Sequence, residues 1–246
     1  MVYYPIPTPR FVEILNNPNM CAFKLDHVDS YSGQLLFNTS AEAVLGVGGF
    51  KTAHSAQLIL SPLASSGLGL LPRHMVVLKQ PYYRVDADGD ANATQEKHSA
   101  SKKESKFKCY VLAQELLKLF REANVLYWAK SLMQVTYKFI DHCIQNTVDV
   151  PLIEIPRLCF VEAGLALAHS HIGKGGAGTT TGAYLLEELI ECESGGFTKF
   201  IHNVDCSPLL EPGDDGYEIT EFLVFTQHVQ YMKTKGQAYI SDYQGE

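Results

Sequence analysis

From Tyr31 to Gln80 the chain alternates short apolar runs with serine, glycine and asparagine, as in YSGQLLFNTSAEAVLGVGGFKTAHSAQLIL. That alternation predicts short strands broken by glycine turns. The turn-rich SPLASSGLGLLPRH then leads into the apolar run MVVLK, Met75 to Lys79. From Phe107 to about Ile144 the period changes. YVLAQELLKLF and NVLYWAKSLMQVTYKFIDHCI place apolar residues three and four apart without a proline, which predicts a long helix that Pro151 and Pro156 prevent from continuing. LCFVEAGLALAHSHI and AYLLEELIE flank HIGKGGAGTTTG as a strand–loop–strand hairpin, and ITEFLVFTQHVQYM reads as a short helix. QAYISDYQGE closes the chain as a strand.

Between these elements lies Arg84 to Lys106, rich in charge and without aromatics. It has too little to bury to offset its ordering entropy, so it is expected to be a disordered insertion. The whole chain of 246 residues is 46% apolar and 19% charged, enough for a substantial core. A net charge of −7 leaves no basic face for nucleic acid and no polybasic membrane anchor. The start lacks a secretory pattern, and the longest apolar stretch, Leu158 to Ala168, is too short to span a bilayer, so a cytoplasmic location is expected. Six scattered cysteines without a CxxC pair are expected to be reduced, mostly structural thiols.

Strand alternation puts Asp242 and Gln244 on one side of the final strand and Tyr243 on the other. A carboxylate and an amide oxygen side by side suit a hard cation such as Mg²⁺ and can steer a hydroxyl. Upstream stand FTQHVQY (Phe225 to Tyr231), FTKFIHN (Phe197 to Asn203), YLLEELIE (Tyr184 to Glu191) and GVGGFKTAH (Gly46 to His54). Together with MVVLK and ISDYQGE, these six elements over roughly residues 44 to 245 resemble, in order, the motifs of the alpha-kinases, an atypical family of protein serine/threonine kinases. The glycine element is similar to the variant form of fungal members.

The resemblance implies an α+β, two-lobed kinase-like fold. Residues 1–190 would form an antiparallel-sheet N-lobe with a helix, interrupted by the insertion at 84–106, and 191–246 the start of a C-lobe. It implies Mg-ATP as cofactor and a protein hydroxyl as acceptor. Gly46, Gly48 and Gly49 would lie over the phosphates. Lys79 would reach the α and β phosphates, with Lys51 in the place of the family's arginine and Lys199 and Asn203 facing the phosphates from the other lobe. Lys79 must then lie within about 15 Å of the glycine loop. Glu187 or Glu188, on the hinge strand, would face the adenine cleft. Asp242 would orient or deprotonate the acceptor hydroxyl, and Gln244 would help hold the metal. His228 would sit behind these groups as a buried support. Glu115 and Glu122, seven residues apart on one helix face, are both candidates to hold Lys79.

The family's later parts, a second metal-binding aspartate, a glycine-rich substrate loop and a His/Cys zinc site, do not follow Gly245, so the resemblance implies an incomplete domain without the zinc site. An inactive nucleotide-binding or protein-interaction module with the same fold is the alternative. Two further matches carry no such chemistry. Gly173 to Gly178 fits G-x-G-x-x-G but runs into a strand instead of a helix, and Gly173-Lys174 lacks the serine or threonine of a Walker loop.

Overall fold

A computed structural model describes residues 1–38, 40, 43–85, 106–148, 154–170, 179–190 and 196–245. The fold is α+β with an antiparallel multi-strand sheet. In chain order the elements are β1 (Val2–Pro5), α1 (Phe11–Asn16), β2 (Tyr31–Phe37), β3 (Val44–Val47), β4 (Lys51–Leu60), β5 (His74–Val85), β6 (Lys106–Cys109), α2 (Leu112–Gln145), β7 (Ala163–His169), β8 (Thr180–Glu188), β9 (Thr198–Lys199), α3 (Tyr217–Lys233) and β10 (Gln244–Gly245). Most of the insertion, 86–105, and the glycine loop 171–178 lie outside the described residues. The insertion is narrower than expected, because Arg84 and Lys106 belong to strands that pair Arg84 with Phe107 and Val85 with Lys106.

Two compact units emerge, each assembled from three stretches: residues 1–5, 28–123 and 162–189 in the first, 6–27, 124–161 and 190–246 in the second. The expected division at residue 190 is therefore corrected. At 34 residues α2 is roughly 50 Å long. Residues 112–123 of that helix belong to the first unit and the rest to the second.

In the first unit the sheet closes on itself. β4 pairs with β5 along one edge, and with β3 and β2 along the other; the circuit β4–β2–β1–β7–β8–β5 returns to β4 through antiparallel pairs. Residues 1–5, which the motifs do not touch, supply the strand that joins β2 to β7. Alternate side chains fill the small interior: Ala56, Leu58 and Leu60 from β4, Val76 and Leu78 from β5, Ala166, Leu186 and Tyr3, with Ala64 and Leu68 packed against them. The Tyr3 ring crosses Gly164 where a Cβ would stand, so glycine is needed at that strand position. On the outer face Leu165 and Leu185 are also fully buried, as is Leu119 of α2.

The second unit packs Met133, Phe200, Ile201, Leu223 and Tyr243 into one apolar cluster. Residues 6–27 are tied to α2 by side-chain bonds: Ser131 Oγ donates to Pro9 O (2.9 Å), Tyr127 Oη to Met20 O (2.9 Å), and the Asn124 carbonyl accepts from Phe23 N (2.9 Å). α2 starts five residues later than expected because Lys106–Cys109 forms β6, with Phe107 edge-on to Tyr82 at 4.6 Å. It ends at Gln145, well before Pro151, where Asn146 and Thr147 side chains donate to His142 O and Cys143 O. The five described cysteines are free and exposed. Among the described residues no helix is long and apolar enough to cross a membrane.

Candidate functional site

In the first unit the glycine-rich segment is the β3–β4 hairpin. Its turn is closed by Gly48 N donating to Lys51 O at 2.8 Å. Gly46 stands opposite Ala53, and Ala53 opposite Lys79, in a row across three neighbouring strands. At one strand spacing per step, Gly46 and Lys79 are roughly 10 Å apart, inside the distance the sequence reading required. Side chains two residues apart share a face, so Lys51, Lys79 and Glu187 all project from the outer face of the closed sheet.

Each cation there has a carboxylate. Lys51 Nζ pairs with Glu122 Oε2 at 2.5 Å, and Lys79 Nζ with Glu187 Oε2. The expected partnership of Lys79 with Glu115 or Glu122 is corrected: register places Glu187 diagonally across β5 and β8 from Lys79, and its carboxylate takes the lysine. Glu115 instead accepts from Gln80 Nε2 at 3.0 Å. Of the two glutamates left open, Glu187 shares the face of Lys79. Glu188 N donates to Glu162 O at 2.9 Å, and its carboxylate accepts from Glu162 N. Both residues lie inside β8, paired with β5 on one side and bonded to the β7 side on the other, so neither offers a free main-chain edge for a base.

Glu115 is a buried carboxyl whose pKa is pushed up by desolvation, partly opposed by the hydrogen bond from Gln80. The folded protein therefore keeps this proton to a higher pH than the unfolded chain does. Folding stability from this group is greatest at acid pH and falls as pH rises through the interval between the unfolded and the raised folded value. Glu115→Gln cannot ionise and still meets Gln80. It is expected to melt a few degrees above wild type at neutral pH, with the gap closing in acid. A gap that stays constant across the pH series would show that Glu115 ionisation does not control it.

The second unit gathers Lys199, Asp242 and Gln244. β9 and β10 pair with Gln244 opposite Lys199, and Lys199 Nζ meets Asp242 Oδ1 at 2.8 Å. Asp242 has φ 61°, in the left-handed region where aspartate is tolerated better than most residues. Tyr243 is buried while Asp242 and Gln244 are exposed, as the alternation predicted. Only Gln244–Gly245 is strand, however, so the long terminal strand is shortened. The segment is held by groups the sequence reading passed over. On α3, Gln230 accepts from Ile240 N (2.9 Å), Gln227 donates to Ile240 O (2.7 Å), and the Tyr243 hydroxyl lies 3.3 Å from Thr226 Oγ1. Burial raises the Tyr243 pKa, against hydrogen bonds from Thr226 and Gln230. Polar residues at 226, 227 and 230, spaced for one helical face within an apolar helix, were the available signal.

His228 is corrected. It is exposed and turned from the face that carries Thr226, Gln227 and Gln230. Asn203 is exposed in the turn after β9, and among the described residues no hydrogen bond ties it to Lys199 or Asp242. Among the described residues no group of three or more His, Cys, Asp or Glu is placed to hold a metal ion. One carboxylate and one amide oxygen, both exposed, suit an ion such as Mg²⁺ that brings most of its ligands as water and phosphate. Comparison with protein-family models, with curated proteins and with solved structures found no match to the chain.

Proposed function

We propose that this chain is a kinase-like domain of the alpha-kinase type, which binds Mg-ATP and serves transfer of its γ-phosphoryl group to a protein serine or threonine hydroxyl. The row Gly46–Ala53–Lys79 carries the reading, because it sets a lysine two strands from a glycine hairpin whose backbone a phosphate can approach. Each unit has its own share of the chemistry. The first offers Lys51 and Lys79 as counter-charges to phosphate. The second offers Lys199 as a further cation and the Asp242 carboxylate to orient the acceptor hydroxyl and take its proton. The acceptor oxygen bonds to the γ-phosphorus as the bond to the β–γ bridging oxygen breaks, and ADP leaves. Magnesium, held by Gln244 and Asp242, would supply charge neutralisation for that phosphoryl group.

A second reading, a nucleotide-binding module without transfer, is favoured by one observation: Asp242 is already engaged by Lys199. Asp242→Asn separates the two. Under the transferase reading the variant still binds ATP through the lysines of the first unit and loses phosphate transfer to a protein acceptor by about a hundredfold or more. Equal transfer by the variant sinks the assigned role of Asp242. No calorimetric ATP binding by wild type sinks both readings.

A further inference from the structure

Tyr82, on β5 three residues beyond Lys79, is not part of any motif. Its ring is almost fully buried and is fixed by Phe107, which meets it edge-on at 4.6 Å with the Arg84 guanidinium on the other ring at 5.9 Å. From there it grips the hairpin turn twice. Tyr82 N donates to Phe50 O at 3.0 Å, and the Tyr82 hydroxyl donates to Gly48 O at 2.5 Å. Gly48 N is already committed to Lys51 O.

The consequence lies on the other side of the peptide. In a trans peptide the carbonyl and the next N–H point in opposite directions. Holding the Gly48 carbonyl on Tyr82 therefore aims the Gly49 amide away from Tyr82. That amide donates to nothing among the described residues, and nothing stands within 4 Å of where a Gly49 Cβ would be. An unpaired amide at an uncrowded glycine is the kind of group that donates to a phosphate oxygen.

We infer that Tyr82 is a positioning residue for phosphate: its hydroxyl locks the Gly48–Gly49 peptide so that the Gly49 amide is presented to a nucleotide phosphate. This deepens the ATP-binding reading and rests on it. Without the hydroxyl the peptide samples other orientations, and affinity falls in proportion to the fraction of turns still competent.

Tyr82→Phe keeps the ring and its packing on Phe107, and removes only the donor. Dissociation constants for ATP, tripolyphosphate and adenosine are measured on wild type, Tyr82→Phe and Lys79→Ala. ATP and tripolyphosphate are expected to bind Tyr82→Phe about five to ten times more weakly, by a common factor, with adenosine unchanged. A general loosening of the sheet would weaken adenosine as well, and that result overturns the inference. So does unchanged ATP affinity in Tyr82→Phe, or a loss for ATP that tripolyphosphate does not share. If Lys79→Ala weakens ATP while Tyr82→Phe does not, the nucleotide reading stands and the role of Tyr82 falls. If wild type binds neither ATP nor tripolyphosphate, both fall.

Discussion

Lys79→Ala is expected to weaken Mg-ATP binding by at least about tenfold, since hydrogen bonds to charged groups contribute about 1.5–3 kcal/mol and each 1.4 kcal/mol is a factor of ten. The substitution has a second effect that must be separated from the first. It leaves the Glu187 carboxylate, only 14% exposed, without its cation. An unpaired carboxylate in that setting lowers stability and repels phosphate by itself. The double variant Lys79→Ala/Glu187→Gln removes both charges. Its melting temperature is expected to recover toward wild type while its ATP affinity stays low, as read by calorimetry. Wild-type affinity in the double variant would mean that Lys79 matters only as the counter-ion of Glu187.

The largest effect on folding is expected from Gly33→Ala. Gly33 lies in β2, opposite Leu60 of β4, and its N–H bonds to Met1 O at 3.0 Å. A Cβ there would overlap Ile59 O, a backbone atom, and crowd Leu60 Cδ2 at 2.9 Å. In an open sheet an outer strand can splay to make room. Here β2 is one member of a closed circuit, so moving it from β4 strains its pairing with β1 as well. Overpacking of this kind costs about 3 kcal/mol, near the upper end of its usual range, which lowers the melting temperature by roughly 10 °C. Gly49→Ala is the control, because an added methyl meets nothing within 4 Å; its melting temperature should match wild type to within about 2 °C. Equal effects at the two glycines would contradict the pinched β2–β4 contact.

Elements with a strong period were legible in the sequence. The apolar spacing of three and four gave α2 with its start five residues early, and ITEFLVFTQHVQYM, read as a short helix, falls inside Tyr217–Lys233. Strand alternation placed Tyr243 inward and Asp242 with Gln244 outward, because a side chain's direction is set by its own backbone. The partners of those side chains were less legible. Lys79 was given a glutamate from the helix but has Glu187 from β8, and His228 was given a buried role that Gln227 and Gln230 fill. A charged group three or four positions along a helix has its face fixed locally, but which strand lies next to it is decided by pairing over more than a hundred residues.

The sequence by itself determined the α+β class, the position of the glycine hairpin, the long helix, and the alternation that presents Asp242 and Gln244 together. Only the tertiary structure decided that the sheet closes, that residues 1–5 complete the circuit, and that α2 serves two units. It also decided which carboxylate meets each lysine and that Tyr82 holds the Gly48 carbonyl. The physical reason is range. Periodicity reports how each segment divides its own faces between core and solvent, over one or two turns of helix or a few residues of strand. Closure and ion pairing depend on register between segments far apart in the chain, and a one-residue slip in that register would turn Lys79 from the outer face to the interior.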